Sequence, residues 1–199
     1  MIKAVLFDMD GVIVYSKDST RACFEILLKE FGFELPKEKE YIVYMGGNDR
    51  EIISALLPGV DDETLEQMVK RASEITENLK YLKLNPGVEE ALETLSKRFK
   101  LAIVSNDNRS SLERKLGMFN ITDYFSAIIS ENDVERVKPD PQPLLKAMEL
   151  LGVTREEAVY IGDNEVDKEA GEAAGVKTVI VKDLQGKDGF FKKGIWEYV

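Results

Sequence analysis

Hydrophobic positions along this chain follow two different periods, and the change from one to the other divides it. The first apolar run, Ala4-Val5-Leu6-Phe7, is unbroken, as a strand buried on both faces requires, and it ends in Asp8-Met9-Asp10-Gly11. From Lys17 to Tyr81 the apolar residues instead return every third or fourth position. Phe24, Leu27, Leu28 and Phe31 form one such stripe, and Ile52, Ile53, Leu56 and Leu57 form another behind the capping candidates Asn48 and Asp49. A third stripe, Leu65, Met68, Val69, Ala72, Ile75, Leu79 and Leu82, opens with Asp61-Asp62-Glu63 and predicts a helix of about five turns.

Past Asn85-Pro86-Gly87, helix and strand patterns alternate. Val88, Ala91, Leu92 and Leu95 precede the strand Leu101–Val104, and Leu112 and Leu116 precede Ala127–Ile129. Pro143 to Leu151 precedes Val159–Gly162, and Ala170, Ala173 and Ala174 precede Thr178–Val181. Alternation of this kind implies right-handed crossovers. The fold class is therefore α/β: a parallel Rossmann-like sheet covered by helices on both faces, with a small all-helical domain inserted after strand one. The boundaries fall at 1–16 and 83–199 for the core and 17–82 for the insertion. The C-terminal stretch from Gly189 to Val199 is apolar enough to dock and reads as a final strand or flap of the core.

The strand ends carry the chemistry. Two carboxylates one residue apart, Asp8 and Asp10, stand where a buried strand exits, and buried carboxylates call for a cationic partner. Taken alone, Asp-x-Asp-Gly serves equally well as a solvated turn. The second strand ends in Ser105-Asn106-Asp107, a lysine opens the loop Lys138-Pro139-Asp140-Pro141, and another strand ends in Gly162-Asp163 with Asp167 four residues on. Ligands of open parallel sheets bind beyond the carboxyl ends of the strands, so these groups can converge despite their separation in sequence.

Composition narrows the choice. A formal net charge of −10 with no long basic run argues against nucleic acid or an anionic membrane as partner. No apolar stretch is long enough to span a bilayer, and the carboxylates at 8 and 10 interrupt any leader-like segment, so a soluble cytoplasmic protein is expected. The single cysteine, Cys23, falls in a helical apolar stripe and reads as core. With no histidine in the chain, a serine triad, histidine phosphotransfer and imidazole proton transfer are all excluded, which leaves acid–base work to carboxylates, lysine or tyrosine.

Asp8-x-Asp10, Ser105, Lys138 and Gly162-Asp163-x-x-x-Asp167, in that order, make the chain resemble the haloacid dehalogenase superfamily, most of whose members are aspartyl-phosphate phosphatases. The resemblance runs from Asp8 to Asp167 and implies a role for each group. Asp8 would be the nucleophile and Asp10 the general acid and base. Ser105, Asn106 and Lys138 would bind phosphate. Asp8, the backbone carbonyl of Asp10 and Asp163 would hold Mg²⁺, and Asp167 would steady Lys138 or a metal-bound water. The inserted helices would form a cap, with Gly46, Gly47 and Arg50 as candidate substrate contacts. The substrate would be a small phosphorylated metabolite, with no obligate protein partner.

Within that resemblance Asp10 argues against carbon–halogen cleavage, which needs no acid for the leaving group. None of Lys17, Lys29 and Lys70 sits where a Schiff-base lysine is called for. The rival is a sugar phosphomutase of the β-phosphoglucomutase type. That relative carries Lys-Gly-x-Ser-Arg in the cap and a histidine on the first cap helix. This chain has Gly46-Gly47-Asn48-Asp49-Arg50 and Thr20 there, departures that favour a hydrolase. Tyr15-Ser16 also departs from the acid-Ser/Thr pair common at the hinge. A non-catalytic binding protein of the same fold would be expected to have lost one of these groups, and none is missing.

Overall fold

The computed structural model describes residues 1–34, 48–78, 82–182, 184, 190–192 and 194–199. The chain divides into two compact units, one of Met1–Tyr15 with Lys83–Val199 and the other of Ser16–Leu82.

The first unit is built on a five-stranded sheet. Its strands are β1 (Ala4–Phe7), β4 (Lys100–Val104), β5 (Ala127–Ile129), β6 (Ala158–Gly162) and β7 (Lys177–Ile180), in the order β5-β4-β1-β6-β7. Every pairing is parallel, and β1 lies in the middle with Phe7 beside both Ile103 and Ile161. All four β1 residues are fully buried, which is why that segment is apolar without alternation. Successive side chains still point to opposite faces. Ala4 and Leu6 join Ala102, Val104 and Ile129 against Leu144, Ala147 and Met148 of helix α6 (Gln142–Leu151), and against Ala170 and Ala174 of α7 (Glu165–Ala174). On the other face Phe7 meets the rings of Phe125 and Phe191. The remaining helices of this unit are α4 (Val88–Leu95) and α5 (Arg109–Met118).

A short antiparallel ribbon, β2 (Val14–Tyr15) with β3 (Lys83–Leu84), brings together the two chain segments that flank the insertion. Asn85, almost fully buried, locks it: its amide donates to the carbonyls of Gly11 and Val12, and its backbone N–H donates to Ile13.

The C-terminus docks by apolar residues but corrects the expectation of a strand. Among the described residues it forms a turn and a short 3₁₀ helix, Gly194–Glu197, with Phe191 and Ile195 buried. Tight apolar anchoring replaces strand pairing here, because Phe191 fills space beside Phe7 on a sheet face rather than extending a sheet edge.

The second unit packs helices α1 (Lys17–Glu30), α2 (Asp49–Leu56) and α3 (Asp62–Asn78) around Phe24, Leu27, Leu28, Ile53, Met68 and Ala72. Asn48 caps α2 in a reciprocal box with Glu51. Cys23 is buried in this core, and burial pushes its thiol up to about 11, the chemistry of a packed residue rather than a nucleophile. No described helix is long and apolar enough to cross a membrane.

Candidate active site

Asp8 is the first residue past the central strand, and its N–H continues the ladder to Ile161 O at 2.9 Å. That register holds its carboxylate, itself buried, at the carboxyl end of the sheet. Lys138 arrives from the loop between β5 and α6. Asn106 holds this lysine by its backbone: Lys138 N–H donates to Asn106 Oδ1 at 2.9 Å, and Asn106 Nδ2 donates to Lys138 O at 2.8 Å. The buried Lys138 Nζ then lies 2.9 Å from Asp8 Oδ1, 2.6 Å from Asp167 Oδ1, 2.9 Å from the Tyr160 hydroxyl and 3.1 Å from Val104 O. Tyr160 in turn donates to Asp167 Oδ1 at 2.6 Å.

Asp167 owes its position to local sequence. Asn164 and Asp167 form a reciprocal capping box at the start of α7, and Asp167 Oδ2 accepts from the N–H groups of Asp163 and Asn164. A side chain at Gly162 would collide with it, since a Cβ there would fall 2.3 Å from Asp167 Cβ. Both oxygens of Asp167 are therefore engaged. Asp163 Oδ1 accepts from Asn164 Nδ2, while among the described residues no hydrogen bond reaches Asp163 Oδ2 or Asp8 Oδ2.

One ammonium faces three carboxylates here. Burial, opposed by Lys138 and reinforced by Asp167 and Asp163, raises the Asp8 carboxyl well above the usual range. Burial and the neighbouring Asp167 push Asp163 up to about 7. Burial alone would lower Lys138, but Asp167 and Asp8 hold it above the ordinary lysine value. Asp167 is held low against burial by Lys138 and Tyr160. Ligand oxygens of Asp8, Asp163 and Asp167 come within 4.8 Å of one another. Hard oxygen donors, two of them with an unengaged oxygen and carrying excess negative charge, fit a hard divalent cation held through Asp8 and Asp163.

Asp10 sits differently. The chain turns tightly after Asp8, with N–H groups of Ile13 and Val14 both donating to Met9 O, and Gly11 adopts φ +82°. Asp10 Oδ2 accepts from Lys115 Nζ at 2.6 Å, and Lys115 also donates to Asp107 Oδ2 at 2.9 Å. Burial would lower the Lys115 ammonium, but Asp10 and Asp107 raise it above the usual lysine value. Asp107 is held low by Lys115 and Ser111 despite its burial. Ser105, buried at the end of β4, accepts the Asp107 N–H on its hydroxyl.

Of the residues singled out from sequence, the structure thus gathers Asp8, Lys138, Asp163 and Asp167 into one network and sets Asp10 and Ser105 beside it. Asn106, expected at the phosphate, has both amide atoms on the Lys138 backbone. Arg50 lies in the first turn of α2 and pairs with Glu66 of α3. Gly46 and Gly47 lie outside the described residues. Sequence reasoning missed Tyr160, Lys115 and Asp107. A signal existed for Lys115, which interrupts the buried stripe Leu112–Leu116 with a charge.

This constellation at the carboxyl end of a parallel sheet is that of a known class. The chain belongs to the haloacid dehalogenase-like hydrolase family, whose model matches residues 5–181. It is 34% identical to a phosphoglycolate phosphatase of Aquifex aeolicus, over 90% of this chain and 84% of that protein. It is also 34% identical to the pyrophosphatase PpaX of Halalkalibacterium halodurans, over 94% of this chain and 87% of the relative. A solved chain from Thermotoga maritima, provisionally described as a β-phosphoglucomutase, superposes with a TM-score of 0.73 at 26% identity, and each chain is covered in full.

Proposed function

We propose that this protein is a Mg²⁺-dependent phosphatase that hydrolyses a small phosphomonoester through an aspartyl-phosphate on Asp8. The observation that carries the reading is the 2.9 Å contact between Lys138 Nζ and Asp8 Oδ1, with Asp163 alongside. A carboxylate attacking a phosphate dianion must overcome repulsion, and this is where the fold concentrates its buried cation.

Asp8 attacks phosphorus in line, and the bond to the leaving oxygen breaks as that oxygen takes a proton from Asp10. Water then attacks the acyl-phosphate, Asp10 takes the water's proton, and the bond between phosphorus and Asp8 breaks to free the carboxylate and phosphate. Lys138 neutralises phosphate charge, and Ser105 donates to a phosphate oxygen. Asn106 fixes the lysine, and Asp167 with Tyr160 keeps its ammonium oriented. Mg²⁺ held by Asp8, Asp163 and the Asp10 carbonyl would supply Lewis-acid charge neutralisation. The inserted helical unit is read as the cap that restricts substrates to small molecules.

Because relatives of this chain are named phosphoglycolate phosphatase and pyrophosphatase, phosphoglycolate and pyrophosphate come first in a panel of metabolites to be screened for phosphate release with Mg²⁺. Release from at least one phosphomonoester supports the reading; silence across the panel, or release from pyrophosphate alone, overturns it. The mutase alternative is tested with β-glucose 1-phosphate and a trace of the bisphosphate. Glucose 6-phosphate formed faster than phosphate would replace the hydrolase reading.

A further inference from the structure

The Asp10–Lys115–Asp107 chain adjoins the nucleophile and metal groups through the Asp10 backbone, and the side-chain arrangement is specific. Lys115 stands on α5, is 5% exposed, and reaches back to Asp107 at the loop before its own helix and to Asp10 across 105 residues of sequence. Asp107 is itself fixed, because its Oδ1 accepts the Asn108 N–H at 2.8 Å. The two Asp10 oxygens are not equivalent. Oδ2 is held by the ammonium, whereas Oδ1 is buried and takes no hydrogen bond among the described residues.

Resting on the phosphatase reading, we infer that Lys115 is a positioning residue that locks the rotation of the Asp10 carboxyl and so fixes the direction in which Asp10 gives and takes the proton. A carboxyl free to rotate presents either oxygen and a spread of angles. A carboxyl pinned at one oxygen is held in a single orientation, which is what directed proton transfer to a leaving group requires. Asp107 is the anchor that keeps Lys115 from following Asp10, so the clamp acts from the rigid α5 end.

The inference predicts a dependence on the leaving group that general loosening of the fold would not produce. 4-Nitrophenolate departs without a proton, so formation of the acyl-phosphate from 4-nitrophenyl phosphate does not need Asp10, whereas its hydrolysis does. Phenolate needs the proton to depart. With Mg²⁺ present, Lys115→Met should therefore release a burst of 4-nitrophenolate equal to the enzyme concentration, followed by a steady state slowed about tenfold or more. Phenyl phosphate should be turned over at least as slowly with no burst, and Lys115→Arg should recover most of both rates. Because Lys115→Met leaves Asp107 without its cation, the double variant Lys115→Met/Asp107→Asn is measured beside it and should show the same burst. Turnover within twofold of wild type on both esters overturns the inference. So does an equal loss on both with no burst in either variant, the pattern of a merely structural lysine. A wild-type chain silent on both esters and across the metabolite panel overturns the phosphatase reading itself, and the clamp with it.

Discussion

Gly11 and Asp163 compete for the same space: a Cβ on Gly11 would lie 1.9 Å from Asp163 Oδ2. The glycine also sits at φ +82°, a conformation that other L-residues reach at a cost of about 1–2 kcal/mol. Gly11→Ala should therefore act on the far side of the site, by driving the Asp163 carboxylate away from Asp8. The expected outcome is a raised apparent Kd for Mg²⁺ and a loss of turnover of about tenfold or more, read from metal titrations of activity.

Asp8→Asn should abolish turnover without loosening the fold. The substitution removes one of three carboxylates around Lys138 and leaves the ammonium paired with Asp167. Turnover below about a hundredth of wild type is expected for the residue that forms the covalent intermediate, with an unchanged or raised Tm. Activity retained above that level would remove Asp8 as nucleophile.

Lys138→Met should do the opposite to stability. It leaves Asp8 and Asp167 buried without their cation, and breaking such a pair destabilises by about 3–5 kcal/mol. Urea unfolding provides the check. Adding Asp8→Asn to Lys138→Met should recover part of the loss, because one of the stranded charges is then gone.

Metal removal tests the unengaged oxygens of Asp8 and Asp163. EDTA should abolish activity and Mg²⁺ restore it. Ca²⁺ should bind but inhibit, because its larger, more flexible shell can take Asp8 bidentate and occupy the oxygen needed for attack. Asp163→Asn should weaken apparent Mg²⁺ affinity. Full activity in EDTA would break the Asp8/Asp163 pairing.

Stability of the metal-free protein should fall with rising pH. Asp163 titrates near 7 when folded, above its ordinary value of 3.8, so between those values the folded state holds more protons than the unfolded chain. Unfolding then becomes easier as pH climbs through that window and levels off above it; the raised Asp8 acts in the same direction. Thermal melts without metal should show a lower Tm at about pH 8 than at about pH 5, and Mg²⁺ should raise Tm more at the higher pH. A metal-free Tm that rises across the window would contradict the crowding of carboxylates.

Much of the fold is legible in the sequence. The sheet follows from unbroken apolar runs separated by helical stripes, and Asp8 and Asp163 stand out as carboxylates at the ends of such runs, with Lys138 opening a proline-rich loop. Tyr160 was hidden because, inside Ala-Val-Tyr-Ile-Gly, an aromatic reads as packing; only the third dimension brings its hydroxyl to Lys138 and Asp167. Lys115 was hidden because a lysine on a helix is ordinarily solvated, and its two acids come from separate loops. The hold of Asn106 on Lys138 is not legible in the sequence, because its partner backbone lies 32 residues further along the chain.

The ribbon of Val14–Tyr15 with Lys83–Leu84, closed by Asn85, has a bearing on how such a protein can change. It welds the exit and the return of the intervening helices into one hairpin-like stem that belongs to the sheet unit. For the sheet unit, everything from Ser16 to Leu82 is then a single excursion from a fixed base, and closure entropy grows only slowly with the length of such an excursion. Helices there can be lengthened, exchanged or redrawn while Asp8, Lys138 and Asp163 stay in register. The stem separates the part of the molecule free to diversify from the part that must not.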